Sequence, residues 1–224
     1  MKRENIFICA IALFIYFSFG FLTQIFDNYL GVNIIKMPDV PSYIWAANNF
    51  FHAFKADAMR PLGYPIIIGL PFLFNASWGF VLQWGVCINA ILWCATPLFI
   101  FNALVLFASK KFSMLFAIIY MLCIGNLEYA YLLLSENTYT CLLAAIMYFI
   151  ALYLVKKNIS FLAWAFVLFS FSMLVRPTLW PLYPFALLVC VVLGLRAYMQ
   201  DNQKIFSYYY TWCWYCFISA GNNE

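Results

Sequence analysis

The chain has 224 residues, 67% of them hydrophobic and only 9% charged, with a net charge of +4 and a mean hydropathy of +0.90. Soluble domains carry roughly a quarter charged residues, so that class is excluded and most of the chain is expected in lipid. The twelve cations sit largely in pairs at the ends of apolar runs and form no basic stripe, which excludes a nucleic-acid partner.

The N-terminal MKREN is followed by a long apolar run, predicted to be a first transmembrane helix over about 6–26. It is too long for a signal-peptide core and lacks a small-x-small site before Asp27. Lys2 and Arg3 are expected to hold its start in the cytoplasm. A long outer loop, about 27–78, comes next and contains DVPSYIWAANNFFHAFKADAMRPLGYP. Here Tyr43, Ile44, Ala47, Phe50, Phe51 and Phe54 repeat at helical spacing, with Asn48, His52 and Lys55 on another face. That pattern predicts an amphipathic helix lying in the membrane interface, started by Asp39 and Pro41. The segment from Leu62 to Asn75 is too short to span and contains Pro65 and Pro71, so it is expected to be interfacial or re-entrant.

Further spans are predicted at about 79–108, 112–127, 137–155, 159–175 and 180–195, with an incomplete seventh at about 205–220. Turns are expected near 126–137 and at Arg176-Pro177. The fold class is therefore all-α: a single polytopic membrane domain of about six full spans and part of another. In this topology eight cations (Lys2, Arg3, Lys110, Lys111, Lys156, Lys157, Arg196 and Lys204) lie in the cytoplasm and four (Lys36, Lys55, Arg60 and Arg176) outside. The bias agrees with the positive-inside rule, and the chain is expected to be a multi-pass protein of the cell's inner (plasma) membrane.

The cysteines read as small buried hydrophobes. The pair in WCWYC lacks the strand-then-helix setting of a redox motif, and one histidine without a Cys/His cluster gives no metal site. Chemistry is left to the outer face, where Asp39, His52, Lys55, Asp57 and Arg60 of the first loop meet Glu128 and Glu136 of the second and Arg176 of the third. Ionisable groups at a membrane boundary are costly unless paired or functional. A carboxylate there can take a proton from a hydroxyl while arginines hold an anionic leaving group such as a phosphate. Plainer roles exist for each: Asp39 as a helix start, Glu136 at a positive helix end, Arg176 as a turn anchor. His52 suits a wet face, and Lys36 and Lys55 suit snorkelling or headgroup contact.

Taken in order, PDVPSYIWAANNF, RPLGYPIIIGL, LLLSENTYTCLLA and LVRPTLWPLYP resemble the N-terminal half of a GT-C class membrane glycosyltransferase. The similarity is to bacterial relatives of protein O-mannosyltransferases and of the lipid A aminoarabinose transferase, and it runs from about Met1 to Leu195. In those enzymes the first span is followed by a D-x-x-x-Y-x-x-x-A motif, then an R-P-P-G-Y-P-like motif, a second acidic turn and a basic residue-proline. Leu62 departs from the second proline of that pattern. The resemblance implies a sugar donor carried on a polyprenyl phosphate and a lipid, glycan or protein acceptor. Asp39 would be the base for inverting attack and Glu136 the second catalytic carboxylate. Arg60 and Arg176 would hold the phosphate, and Tyr43 and Tyr64 would line the site. No metal or other cofactor is expected. Family members run to about twice this length, so an inactive fragment, or a bundle completed by a second chain, is also an expectation. Two alternatives stay open: a non-enzymatic subunit that binds polyprenyl-linked sugars, and a small transporter.

Overall fold

The computed structural model describes residues 2–22, 39–57 and 59–182, with scattered helical positions as far as 195. The chain divides into two compact units, Met1–Trp180 and Pro181–Glu224, and the helices discussed below belong to the first. Among the described residues the regular structure is helical, with eight α-helices and two short 3-10 helices.

Helix α1, Lys2–Leu22, buries Ile8, Ala12, Tyr16 and Gly20, one residue per turn. Its other faces leave Phe7, Phe14, Phe17 and Phe21 more than half exposed, as suits lipid. Helix α2 is Asp39–Ala53. Helix α3, Gly63–Gly69, runs straight into the 3-10 helix Leu70–Phe74. Helix α4, Trp78–Leu104, begins at Ser77, whose hydroxyl accepts from the Phe80 N–H, a normal N-cap. Its length of 27 residues corresponds to about 40 Å, enough to cross a hydrocarbon core of about 30 Å with tilt.

Helix α5, Lys110–Leu122, and helix α6, Ile124–Tyr131, meet at Cys123 with a bend of 57°. After an extended stretch comes α7, Ser135–Lys156, which packs along α4 on one side and along α8, Ile159–Val175, on the other. Lys157 ends α7 in the left-handed conformation (φ 55°). The Asn158 side chain then accepts from the Ser160 N–H to start α8.

Among the described residues three helices, α1, α4 and α7, are long and apolar enough to cross a membrane, or four if the bent pair counts as one crossing. This corrects the six expected spans. The 112–127 span is broken at Cys123, and the expected turn at 126–137 contains α6 and extended backbone at Leu132 and Leu134. Helix α8 has the predicted bounds, but its 17 residues rise only about 25 Å, short of the hydrocarbon thickness. The end of the first span (23–26) and the seventh span (205–220) lie outside the described residues, and 180–195 is described only at scattered positions.

Two apolar clusters hold the first unit together. One joins α1 to Trp93, Phe101, Met121 and Tyr131, with Tyr16 and Tyr131 stacked at 4.3 Å. The other joins α2 to Tyr64, Ile68, Phe72, Leu133 and Val175. This second cluster covers one face of α2. Its apolar face, with Val40, Tyr43, Ile44 and Ala47 buried, rests on α3 and the 3-10 helix.

The two ends of the bundle differ. At one end Lys110 Nζ lies 2.8 Å from Glu4 Oε1, so the starts of α1 and α5 are adjacent. The charge parity expects both on the same side. At the other end Trp78, the first residue of α4, packs its ring against Trp45 of α2 at 5.4 Å. The length of α4 separates the two.

Candidate functional site

The site grows from the Trp78 end. Asp39 occupies the first turn of α2, and its Oδ1 accepts from Arg60 Nη2 in an ion pair. Arg60 is held from its backbone as well. Asp57 Oδ1 accepts from the N–H groups of Met59 (2.7 Å) and Arg60 (2.9 Å), forming a turn that carries the arginine back toward α2. The guanidinium carbon lies 4.7 Å from the centroid of the Tyr43 ring, within cation–π range. Partial burial pushes the Arg60 guanidinium pKa down, but the hydrogen bond and charge of Asp39 outweigh that and leave it raised.

Tyr43 is 6% exposed and meets Tyr64 edge-on at 5.0 Å. Its hydroxyl lies 3.0 Å from Ser135 Oγ, the first residue of α7. Next to Ser135, Glu136 Oε1 lies 2.9 Å from Arg176 Nη1. Arg176 follows α8 with extended backbone (φ −151°, ψ 117°). Pro177 disfavours helical geometry in the residue before it, which ends the helix here. One turn along α7, Thr178 Oγ1 contacts Tyr139 Oη at 3.1 Å and fastens the same junction again.

Below this layer a buried amide network holds the break between α6 and α7. The Leu132 carbonyl sits in extended backbone and accepts from Asn89 Nδ2 at 2.8 Å. Asn89, in mid-α4, is fully buried, and the same nitrogen is 3.4 Å from Tyr64 Oη. Asn137 Nδ2 in turn donates to the Asn89 carbonyl at 2.8 Å. Non-helical backbone buried away from water requires such partners.

One glycine sets the spacing between α3 and α8. A Cβ on Gly63 would lie 2.7 Å from the Leu174 carbonyl carbon and 2.7 Å from the Val175 nitrogen. Only a residue without a side chain lets the Arg60-Pro61-Leu62-Gly63-Tyr64 segment reach the end of α8 beside Arg176.

All six residues singled out from the sequence thus gather into two arginine–carboxylate pairs, joined through Tyr43 and Ser135, with Tyr64 beneath. His52, Lys55 and Glu128 lie exposed, and Lys36 falls outside the described residues. Sequence reasoning missed Ser135, Asn89 and Asn137 as connectors and placed Asp57 in the outer-face polar set without its part in the Arg60 turn. Asp57 had a readable signal, an Asp two and three residues before the N–H groups it accepts. The buried amides had none, since each looks like an isolated polar residue in an apolar run. Among the described residues no three His, Cys, Asp or Glu side chains gather as a metal site. An apolar cavity of about 810 Å³, lined by Leu70, Pro71, Leu73, Phe74, Phe80 and Trp84 among others, opens between the 3-10 helix and the start of α4.

No protein-family description, curated protein or solved structure matches the chain.

Proposed function

We propose that the chain belongs to a membrane glycosyltransferase of the GT-C kind, which moves a sugar from a polyprenyl phosphate to an acceptor hydroxyl at the outer face. The carrying observation is the joined pair of ion pairs: two carboxylates and two arginines from three distant segments meet around Tyr43. In the reaction Asp39 takes the proton from the acceptor hydroxyl as its oxygen attacks the anomeric carbon. The bond from that carbon to the phosphate oxygen breaks with inversion. The electron pair leaves on the polyprenyl phosphate, whose charge Arg60 and Arg176 receive as charge-assisted hydrogen bonds. Glu136 orients Arg176 and the acceptor, and Tyr43 and Tyr64 wall the site. The apolar cavity beside the 3-10 helix suits an isoprenoid tail in composition and size.

The test is binding and transfer of a radiolabelled polyprenyl-phosphate sugar by the purified chain in detergent. Arg60→Ala/Arg176→Ala is expected to lose binding. Asp39→Asn is expected to keep binding and lose transfer by about 10²- to 10⁴-fold, the usual contribution of a positioned base. Binding that depends on the arginines with no transfer by any form would favour a non-enzymatic carrier of such lipids. No binding at all would refute the proposal.

A further inference from the structure

Each arginine assigned to the departing phosphate already holds an anion. Arg60 is paired with Asp39 and Arg176 with Glu136. Resting on the transferase reading above, we infer that the two carboxylates are built-in occupants of the phosphate site, displaced when an isoprenyl phosphate arrives. Donor binding and release of Asp39 for its work as a base are then one coupled event.

The exposures favour exchange. The side chains are 23% and 52% exposed in the Arg60–Asp39 pair and 38% and 31% in the Arg176–Glu136 pair. Partly solvated pairs of this kind contribute little to stability. The donor phosphodiester matches a carboxylate in charge and terminal oxygens, which the planar fork of arginine takes two at a time, and the phosphomonoester left by transfer exceeds it in both. The carboxylates also have somewhere favourable to remain. Both lie in the first turn of a helix, α2 and α7, whose positive end stabilises them once the guanidinium hydrogen bonds pass to phosphate. Tyr43 keeps Arg60 in place during the change, with its ring on the guanidinium and its hydroxyl on Ser135. The coupling is reciprocal: what Asp39 takes from phosphate affinity, phosphate takes from the Asp39–Arg60 pair. Before the donor binds, Oδ1 of Asp39 is engaged by Arg60. Afterwards its lone pairs are free for an acceptor hydroxyl.

The experiment measures equilibrium binding of radiolabelled farnesyl phosphate to the full chain in nanodiscs, with farnesol as the uncharged control. The forms compared are wild type, Asp39→Asn, Glu136→Gln, Arg60→Ala and the double variant Asp39→Asn/Arg60→Ala. Exchange requires Asp39→Asn and Glu136→Gln to bind farnesyl phosphate about two- to fivefold more tightly than wild type. Arg60→Ala should bind about tenfold more weakly, and farnesol should not distinguish the forms. In the double variant the gain from Asp39→Asn should vanish, because Arg60 is no longer there to be released. A gain that survives there means that Asp39 only repels the anion through space, and exchange is overturned. Unchanged or weaker binding by Asp39→Asn, with a wild-type melting temperature, overturns it too. If Asp39→Asn does not fold, Glu136→Gln with Arg176→Ala completes the same cycle. Either failure, with binding still dependent on Arg60, leaves the transferase reading standing. Absence of farnesyl phosphate binding in every form overturns both.

Discussion

Tyr43 carries more of the site than its place in a motif suggests. It touches Arg60 through its ring face, Tyr64 through a ring edge and Ser135 through its hydroxyl. Tyr43→Phe keeps the first two contacts and removes the third, so Arg60 should remain seated while α2 loosens from α7. The expected loss is about 1 kcal/mol, read as a lower unfolding midpoint in detergent. Ser135→Ala should cost a similar amount, and the double variant little more than either, because both remove the same bond. Additive losses would show that the two hydroxyls do not act on each other. Asp57→Ala should free the Met59 and Arg60 N–H groups and let the Arg60 turn drift. Its signature is weaker phosphate-lipid binding with a nearly unchanged midpoint, since the turn is largely solvated. These residue types were visible in the sequence. Their partners were not, because Tyr43 and Ser135 are 92 positions apart and nothing local ties them.

At the scale of elements, two close fits hold the site together. Gly63 presses the start of α3 against the last turn of α8. Gly63→Ala should force these backbones apart and destabilise the fold by about 1–3 kcal/mol, the usual cost of overpacking. It should also weaken donor binding, because Arg60 and Arg176 approach from the two sides of that contact. A variant that binds and melts like wild type would mean that α3 and α8 do not approach so closely. The second fit is the amide network beneath. Asn89→Leu removes one of the two donors to the Leu132 carbonyl, which keeps the Leu134 N–H at 2.8 Å, with an expected cost of about 1 kcal/mol. The midpoint should fall, and hydrogen exchange at 132–135 should rise more than in α1. Helix α8 was legible to its end residues because Asn158 and Pro177 bracket it with plain start and stop signals. The break at Cys123 was not, since the apolar run continues through it without proline.

For the whole molecule, the expected topology can be tested apart from any activity. Single cysteines at positions 2, 55 and 111, in a background with native cysteines removed, should differ in labelling by a membrane-impermeant maleimide added to intact cells. Position 55 should label and position 111 should not. The ion pair between Glu4 and Lys110 requires residues 2 and 111 to share a side. Labelling of 111 but not 2 would contradict both the parity and the fold.

The sequence by itself determined that the chain forms helices long and apolar enough to cross a membrane, and which residues carry its scarce charge. These follow from composition and from short-range signals, because burying apolar surface and satisfying helix ends depend on neighbours within a turn or two. It did not determine the number of crossings. A run of apolar residues reads the same whether it continues straight or bends, and only packing against α4 and α7 decides between them. Nor did it determine that Asp39 would meet Arg60 or Glu136 meet Arg176. Ion pairs between distant segments leave no periodicity, and their partners are chosen by where α2, α3, α7 and α8 come to rest.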